Sequence, residues 1–350
     1  FFTFSAISYL LDINSGKISN RVKLLDFSLY MSFFPKLLQG PIARFGDFQK
    51  QREEGGGSID DFSRGAYRFT LGLAKKVIIA DQLGTFVNYV FSMPTEQIST
   101  WISWTAAAAY ALQIYFDFSG YTDMAIGMGR IFGITLPENF NFPYISTSIS
   151  EFWRRWHITL SSWFRDYLFI PLEFKRRRTK FLRTESNVLI VFLLTGFWHG
   201  ASWNFLIWGL WHGLFISIEV FLKSRKIKLK IPYFIKLIGT LVILIVGWVI
   251  FRSTDLAYAM KYIGVMFGAE GSQYNWVYFS PYLNTKTILL IFIGILACIP
   301  WEKIMPNFFN RFSDSKSSLV VRTVSMVVLL ILSLIYVLSA TYVPFIYFQF

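Results

Sequence analysis

The sequence predicts an all-α bundle that crosses a membrane several times, and three observations carry that prediction. Of 350 residues, 54% are hydrophobic and 19% aromatic, while only 16% are charged, against about 25% in an ordinary soluble domain. Several apolar runs reach the ~20 residues that a spanning helix needs. The net charge of +13 is concentrated in short loops beside those runs. That is the positive-inside pattern of a membrane protein rather than a nucleic-acid groove. A soluble fold this apolar would expose large greasy patches, which a bilayer tolerates.

The chain begins with Phe rather than Met, and no signal peptide is visible. Its opening, FFTFSAISYLLDINSGKI, reads like the interior of a protein. The expectation is a single membrane domain over residues 1–350 that lacks an N-terminal group of helices. Residues 25–43 hold Pro35 and Pro41 and are expected to form a broken or re-entrant segment. Residues 51–63 (QREEGGGSIDDFS) form a hydrophilic loop. Its three glycines connect flexibly, because a phosphate loop would need a preceding strand and a Gly-Lys-Ser/Thr. Residues 66–92 are apolar but interrupted by Lys75, Lys76 and Asp81. Residues 99–118 form a span that ends at Asp117.

Residues 137–172 (PENFNFPYISTSISEFWRRWHITLSSWFRDYLFIPL) cannot cross hydrocarbon cheaply, since Glu151, Arg154, Arg155, His157, Arg165 and Asp166 lie among their aromatics. Phe152, Trp156, Leu160, Trp163 and Phe164 recur near helical spacing. The reading is an amphipathic helix from Ser148, at the interface or packed inside a bundle. Ser148 or Ser150 would cap it, Glu151 would complete a capping box, and Pro171 would limit its end. Its charges either sit at headgroup depth or line a cavity, where Arg-Arg-Trp-His would bind a donor's phosphates or a carboxylate.

Residues 187–222 are long enough for two crossings, and 233–251, 285–301 and 319–342 for one each. The basic loops 173–183, 223–230 and 302–318 are then cytoplasmic, and the terminal YVPFIYFQF faces outside. The single cysteine, Cys298, excludes intramolecular disulfides and Cys-based zinc sites.

The three histidines, His157, His199 and His212, lie within one 56-residue stretch. His199 follows the apolar run NVLIVFLLTGF and lies between Gly196 and Gly200, placing an ionisable group at membrane depth. A neutral imidazole there can take a proton from a hydroxyl attacking a thioester or ester. His212 reads more simply as a satisfied core residue. No Ser-His-Asp spacing and no H-E-x-x-H pattern is present, so neither a legible triad nor a metal site is expected.

The segment 137–172 followed by LLTGFWHGASWNFLIWGLWHG resembles the membrane-bound O-acyltransferase family. Within it, the match is to the alginate O-acetyltransferase membrane components and their relatives in teichoic-acid D-alanylation. FFPKLLQGPIARF, ALQIYFDFSGYTDMAIGMGRIFGI and PFIYFQF extend the resemblance over essentially the whole sequence. It implies a tunnelled helical bundle in a bacterial inner membrane, with the site inside the bilayer. His199, in GFWHG, matches the family's essential histidine, and His157 matches its second. Trp198 and His212 belong to the same motif region. Arg155, Trp156, Ser161, Arg165, Asp166 and Tyr167 would shape the substrate side. Asp117, Ser119, Tyr121 and Asp123 match D-F-S-x-Y-x-D; they serve either the site or a buried polar turn as caps and helix contacts.

The resemblance further implies acetyl-CoA as donor, with no bound cofactor. The acceptor would be an exported polysaccharide such as alginate, reached directly or through a periplasmic acetyltransferase partner. Two alternatives stand beside this: D-alanyl transfer to a cell-wall polymer, and a non-enzymatic transporter or scaffold. No internal repeat of the transporter kind is present.

Overall fold

The computed structural model describes residues 1–18, 22–179, 181–269, 279–308, 316–339 and 345; among these every regular element is a helix. Of the terminal YVPFIYFQF only Phe345 falls within the described residues. α1 (Phe2–Asn14), α2 (Leu24–Ser32) and α3 (Phe34–Leu37) open the chain. The break at Phe33, with Pro35 at the start of α3, is the interruption expected for residues 25–43.

The hydrophilic loop is shorter than its composition suggests. α4 (Phe45–Glu54) and α5 (Ile59–Ala74) take up most of it. Ser58 caps α5 with a full capping box, accepting from the Asp61 N–H while the Asp61 side chain accepts from the Ser58 N–H. α5 runs through a π-helical stretch (Lys75–Ala80) into α6 (Asp81–Phe91).

α7 (Thr100–Ile131) differs most from its expected span, continuing for 32 residues through Asp117 instead of turning there. Two pairs of glycines explain how so polar a stretch stays helical inside a bundle. A Cβ at Gly72 would fall 2.5 Å from the Gly120 carbonyl, and one at Gly65 would fall 2.6 Å from the Gly127 carbonyl. α5 and α7 therefore meet backbone to backbone, as small residues permit in membranes. Ion pairs fill the flanks of this seam. Lys76 bridges Asp117 (2.6 Å) and Asp81 (2.7 Å), and Asp123 receives Arg68 (2.6 Å) and Lys75 (2.5 Å). The charges that interrupt residues 66–92 are thus neutralised by charges on α6 and α7.

The amphipathic segment folds as two short helices, α8 (Ile149–Arg155) and α9 (Ile158–Phe164), rather than one. Phe152, Trp156, Leu160, Trp163 and Phe164 are all buried, so the segment is packed inside the bundle. Helical structure does not stop at Pro171. It passes through a π turn (Arg165–Phe169) into α10 (Ile170–Lys175). The widened turn accommodates a proline that lacks an N–H and crowds the preceding carbonyl.

α11 (Arg183–His199) and α12 (Trp203–Ser224) are the expected helical pair, broken at Gly200. α13 (Tyr233–Arg252) and α14 (Leu256–Met266) follow. Then come α15 (Thr285–Ala297), α16 (Trp301–Ile304) and α17 (Lys316–Ser339). Among the described residues, α12, α13 and residues 318–339 are long and apolar enough to cross a bilayer. α15 has 13 residues, about 20 Å of helix, and falls short of the ~30 Å hydrocarbon core.

Candidate active site

The chain between α8 and α9 is held in one conformation by the short stretch before it. Asn141 N–H donates to the Arg155 carbonyl (2.9 Å), and Ile158 N–H donates to the Asn139 carbonyl (3.0 Å). Between these clamps His157 adopts the left-handed conformation, φ 44° and ψ 53°, which is uncommon for a residue with a side chain. The strain is offset by side-chain bonds. Asn139 Oδ1 accepts from Thr159 N–H (3.1 Å) and Thr159 Oγ1 (3.0 Å), and lies 3.2 Å from His157 Nδ1. Asn139 is wholly buried.

α8 is anchored from the other side of the bundle. Ser148 Oγ accepts the Glu151 N–H (3.1 Å), but Glu151 turns its carboxylate to Thr147 N–H (3.0 Å) and Arg155. The capping box is therefore half formed. Glu219 of α12 supplies the remaining acceptors, taking the Ile149 N–H (2.7 Å) and Ser150 N–H (3.1 Å).

His199 is the last residue of α11 and is half-buried, and its ring stands among aromatics. Ring centroids of Trp198, Trp208 and Phe251 lie 4.7, 5.0 and 5.1 Å from it. The α11–α12 hairpin closes tightly at Gly196, where any side chain would collide with the Phe205 carbonyl. The two histidines meet through a shared aromatic wall. The Phe1 ring stacks on His157 at 5.7 Å and meets the edge of Trp198 at 5.7 Å. Phe118 of α7 closes the other side of His157, edge to face at 4.7 Å.

The remaining sequence-predicted residues lie at several places around the two histidines. His212 lies one layer away from His199 behind Trp208, which touches both rings. Trp156 packs on Trp248 (5.0 Å) and Phe140 (5.0 Å), under His157. Arg155 pairs with Glu151 (2.9 Å), while Asp166 joins Arg165 (2.7 Å) to Arg44 (3.5 Å). Tyr167 donates to Asp12 (2.7 Å); burial, and then this bond, push its phenol above the ordinary range, so it stays protonated. Ser161 and Arg165, with Arg154 and Ser162, line a groove of about 560 Å³ against α11 that is otherwise largely apolar. The D-F-S-x-Y-x-D motif splits by helical phase: Asp117 and Asp123 face the α5 seam, and Phe118 faces His157.

Sequence reasoning passed over Asn139 and Phe118, although both lie inside motifs it quoted. The available signal was an Asn enclosed by Phe and Pro, where a polar side chain has few partners except the backbone beside it. Among the described residues, no group of three or more His, Cys, Asp or Glu side chains is placed to hold a metal ion.

Residues 14–260 match the model of the membrane-bound O-acyltransferase family. The probable alginate O-acetylase of Pseudomonas putida is 38% identical over 368 residues, covering 100% of this chain and 74% of that protein. The probable alginate O-acetylase of Pseudomonas syringae pv. tomato is 44% identical over 270 residues, covering 76% of this chain and 51% of that protein. The peptidoglycan O-acetyltransferase of Helicobacter pylori is 33% identical over 391 residues, covering 100% and 73%. The second of these relatives is matched over about half of its length, 51%.

Proposed function

The chain belongs to the membrane-bound O-acyltransferase family, and from that premise we propose that it is an O-acetyltransferase acting on an exported polysaccharide. Its donor is acetyl-CoA on the cytoplasmic side of a bacterial inner membrane. The acceptor is a polysaccharide hydroxyl such as alginate's, or a periplasmic acetyltransferase partner that passes the acetyl group on. The single observation that supports this reading most is the convergence of His157 and His199 on one aromatic wall formed by Phe1 and Trp198.

His199 acts as general base. Its imidazole takes the proton as the acceptor oxygen attacks the thioester carbonyl carbon. The tetrahedral intermediate collapses, the carbon–sulfur bond breaks, and the proton passes to the departing thiolate. His157 Nε2 orients the incoming hydroxyl or shares its proton. The aromatic wall excludes water that would otherwise hydrolyse the donor. Arg154 and Arg165, at the groove beside α11, meet the donor's phosphates, and Ser161 lines the same groove. Trp156 and Trp198 shape the chamber, and His212 supports it from behind Trp208.

The test is transfer of radiolabel from [¹⁴C]acetyl-CoA, supplied to one side of sealed membrane vesicles, into acceptor on the other side. Label crossing in wild type and not in His199→Ala supports the reading. Label transfer that is equal in the two overturns it.

A further inference from the structure

We propose that Asn139 is a positioning residue that fixes the tautomer of His157. It holds the imidazole proton on Nδ1 and leaves Nε2 as a bare lone pair for the acceptor hydroxyl. This rests on the acyl-transfer reading above for its consequence, but not for its geometry.

Thr159 N–H can only donate, and it lies 3.1 Å from Asn139 Oδ1. That atom is therefore the amide oxygen; turning the amide over would set its NH₂ against donors. Ile42 N–H donates to Thr159 Oγ1 (3.1 Å), which leaves the hydroxyl's own proton to point at Asn139 Oδ1, 3.0 Å away. His157 Nδ1 stands 3.2 Å from the same oxygen. An oxygen has no proton to give, so Nδ1 must carry one for this contact to be a bond. A neutral imidazole has only one N–H, and Nε2 is then the acceptor.

Nothing within the described protein fills that acceptor. His157 is 1% exposed, and its Nε2 has no hydrogen-bond partner among the described residues. A buried acceptor left open costs stability, and a catalytic role is one reason for a fold to keep such a group. Phe1 covers one face of the ring and Phe118 meets it edge to face, so the ring cannot turn over without displacing them. The left-handed backbone at His157 belongs to the same device, because it aims Nδ1 back at the 139–141 clamp. A hydroxyl that reaches Nε2 can donate to it. With the other tautomer it would meet a second donor.

The test reads the tautomer directly. The full-length protein is labelled with ¹⁵N-histidine and reconstituted in nanodiscs. The chain's three histidines are assigned through His199→Gln and His212→Gln. Nitrogen chemical shifts separate protonated from bare ring nitrogens. Wild type is expected to show His157 protonated at Nδ1 and bare at Nε2. Asn139→Ala is expected to move the proton to Nε2 or mix the forms, and to lower kcat for acetyl-CoA-dependent transfer about 100-fold with KM unchanged. Asn139→Asp, which keeps the acceptor, is expected to restore Nδ1–H and most of kcat.

A His157 proton on Nε2 in wild type overturns the proposal, even where Asn139→Ala fails to accumulate. So does an Asn139→Ala protein with an unchanged tautomer, or one with a moved tautomer and unchanged kcat. A tautomer as expected, in an enzyme whose transfer survives His157→Ala, overturns the functional reading of His157 and leaves the tautomer assignment standing.

Discussion

Lys76 Nζ stands 2.6 Å from Asp117 Oδ1 in the seam between α5 and α7, with the two side chains 5% and 2% exposed. A charge in this setting is tolerated only while it is paired. Asp117→Leu leaves Lys76 beside Asp81, at 2.7 Å, without its most deeply buried counter-charge. The expected loss is about 3 kcal/mol, the lower end for breaking a buried pair. Thermal unfolding in detergent checks it, with Arg64→Leu at an exposed ion pair as the variant expected to change little.

The glycine seam makes a second prediction. Gly120→Ala would place a methyl 2.7 Å from the Gly72 carbonyl and force two backbones apart. It should cost about 1–3 kcal/mol. Gly239→Ala, in α13 where nothing lies within 4 Å of the added carbon, should be neutral or stabilising by up to about 1 kcal/mol through helix propensity. The same unfolding assay compares the two.

Those two predictions concern features that the sequence left half legible. The apolar runs marked α13 to within a residue and the end of α12 to within two, because a 20-residue lipid-facing helix has few ways to be written. The D-F-S-x-Y-x-D stretch was harder. Read alone, Asp117 and Asp123 look like the end of a span, and only their partners Lys76, Lys75 and Arg68, some 40 to 55 residues earlier, let the helix continue. The break at Trp156–His157 was hidden for the same reason. Helical spacing continues across it, and the clamp that breaks it comes from Asn139 and Asn141. His157 and His199 were legible as candidates, since ionisable groups are rare in such surroundings. Their meeting across Phe1 and Trp198 was not, because it depends on how α1, α9 and α11 pack.

Glu219 ties α12 to the start of α8 through the Ile149 and Ser150 N–H groups. Glu219→Ala uncaps that helix at an expected cost of about 1 kcal/mol. It should also lower acetyl transfer, because α8 carries the chain directly into His157. The check is initial rate and unfolding midpoint measured on one preparation. A fall in the midpoint with an unchanged rate would separate the cap from the site.

His212 faces α13 so closely that a Cβ at Gly247 would lie 2.8 Å from its Nε2. Gly247→Ala should destabilise by about 1–3 kcal/mol. In the double variant with His212→Ala the two losses should sum to less than their separate values, because the second substitution removes the collision. A double-mutant cycle on unfolding midpoints checks this.

His199 is proposed above to carry the proton in acetylation of an exported polymer. The most direct measurement is the acetyl-ester content of exopolysaccharide from cells expressing wild type or His199→Ala at matched membrane levels. The expected result is loss of acetyl esters with normal protein abundance, a fall of at least about 100-fold in the transfer step. Acetyl content equal to wild type at equal abundance would contradict the account.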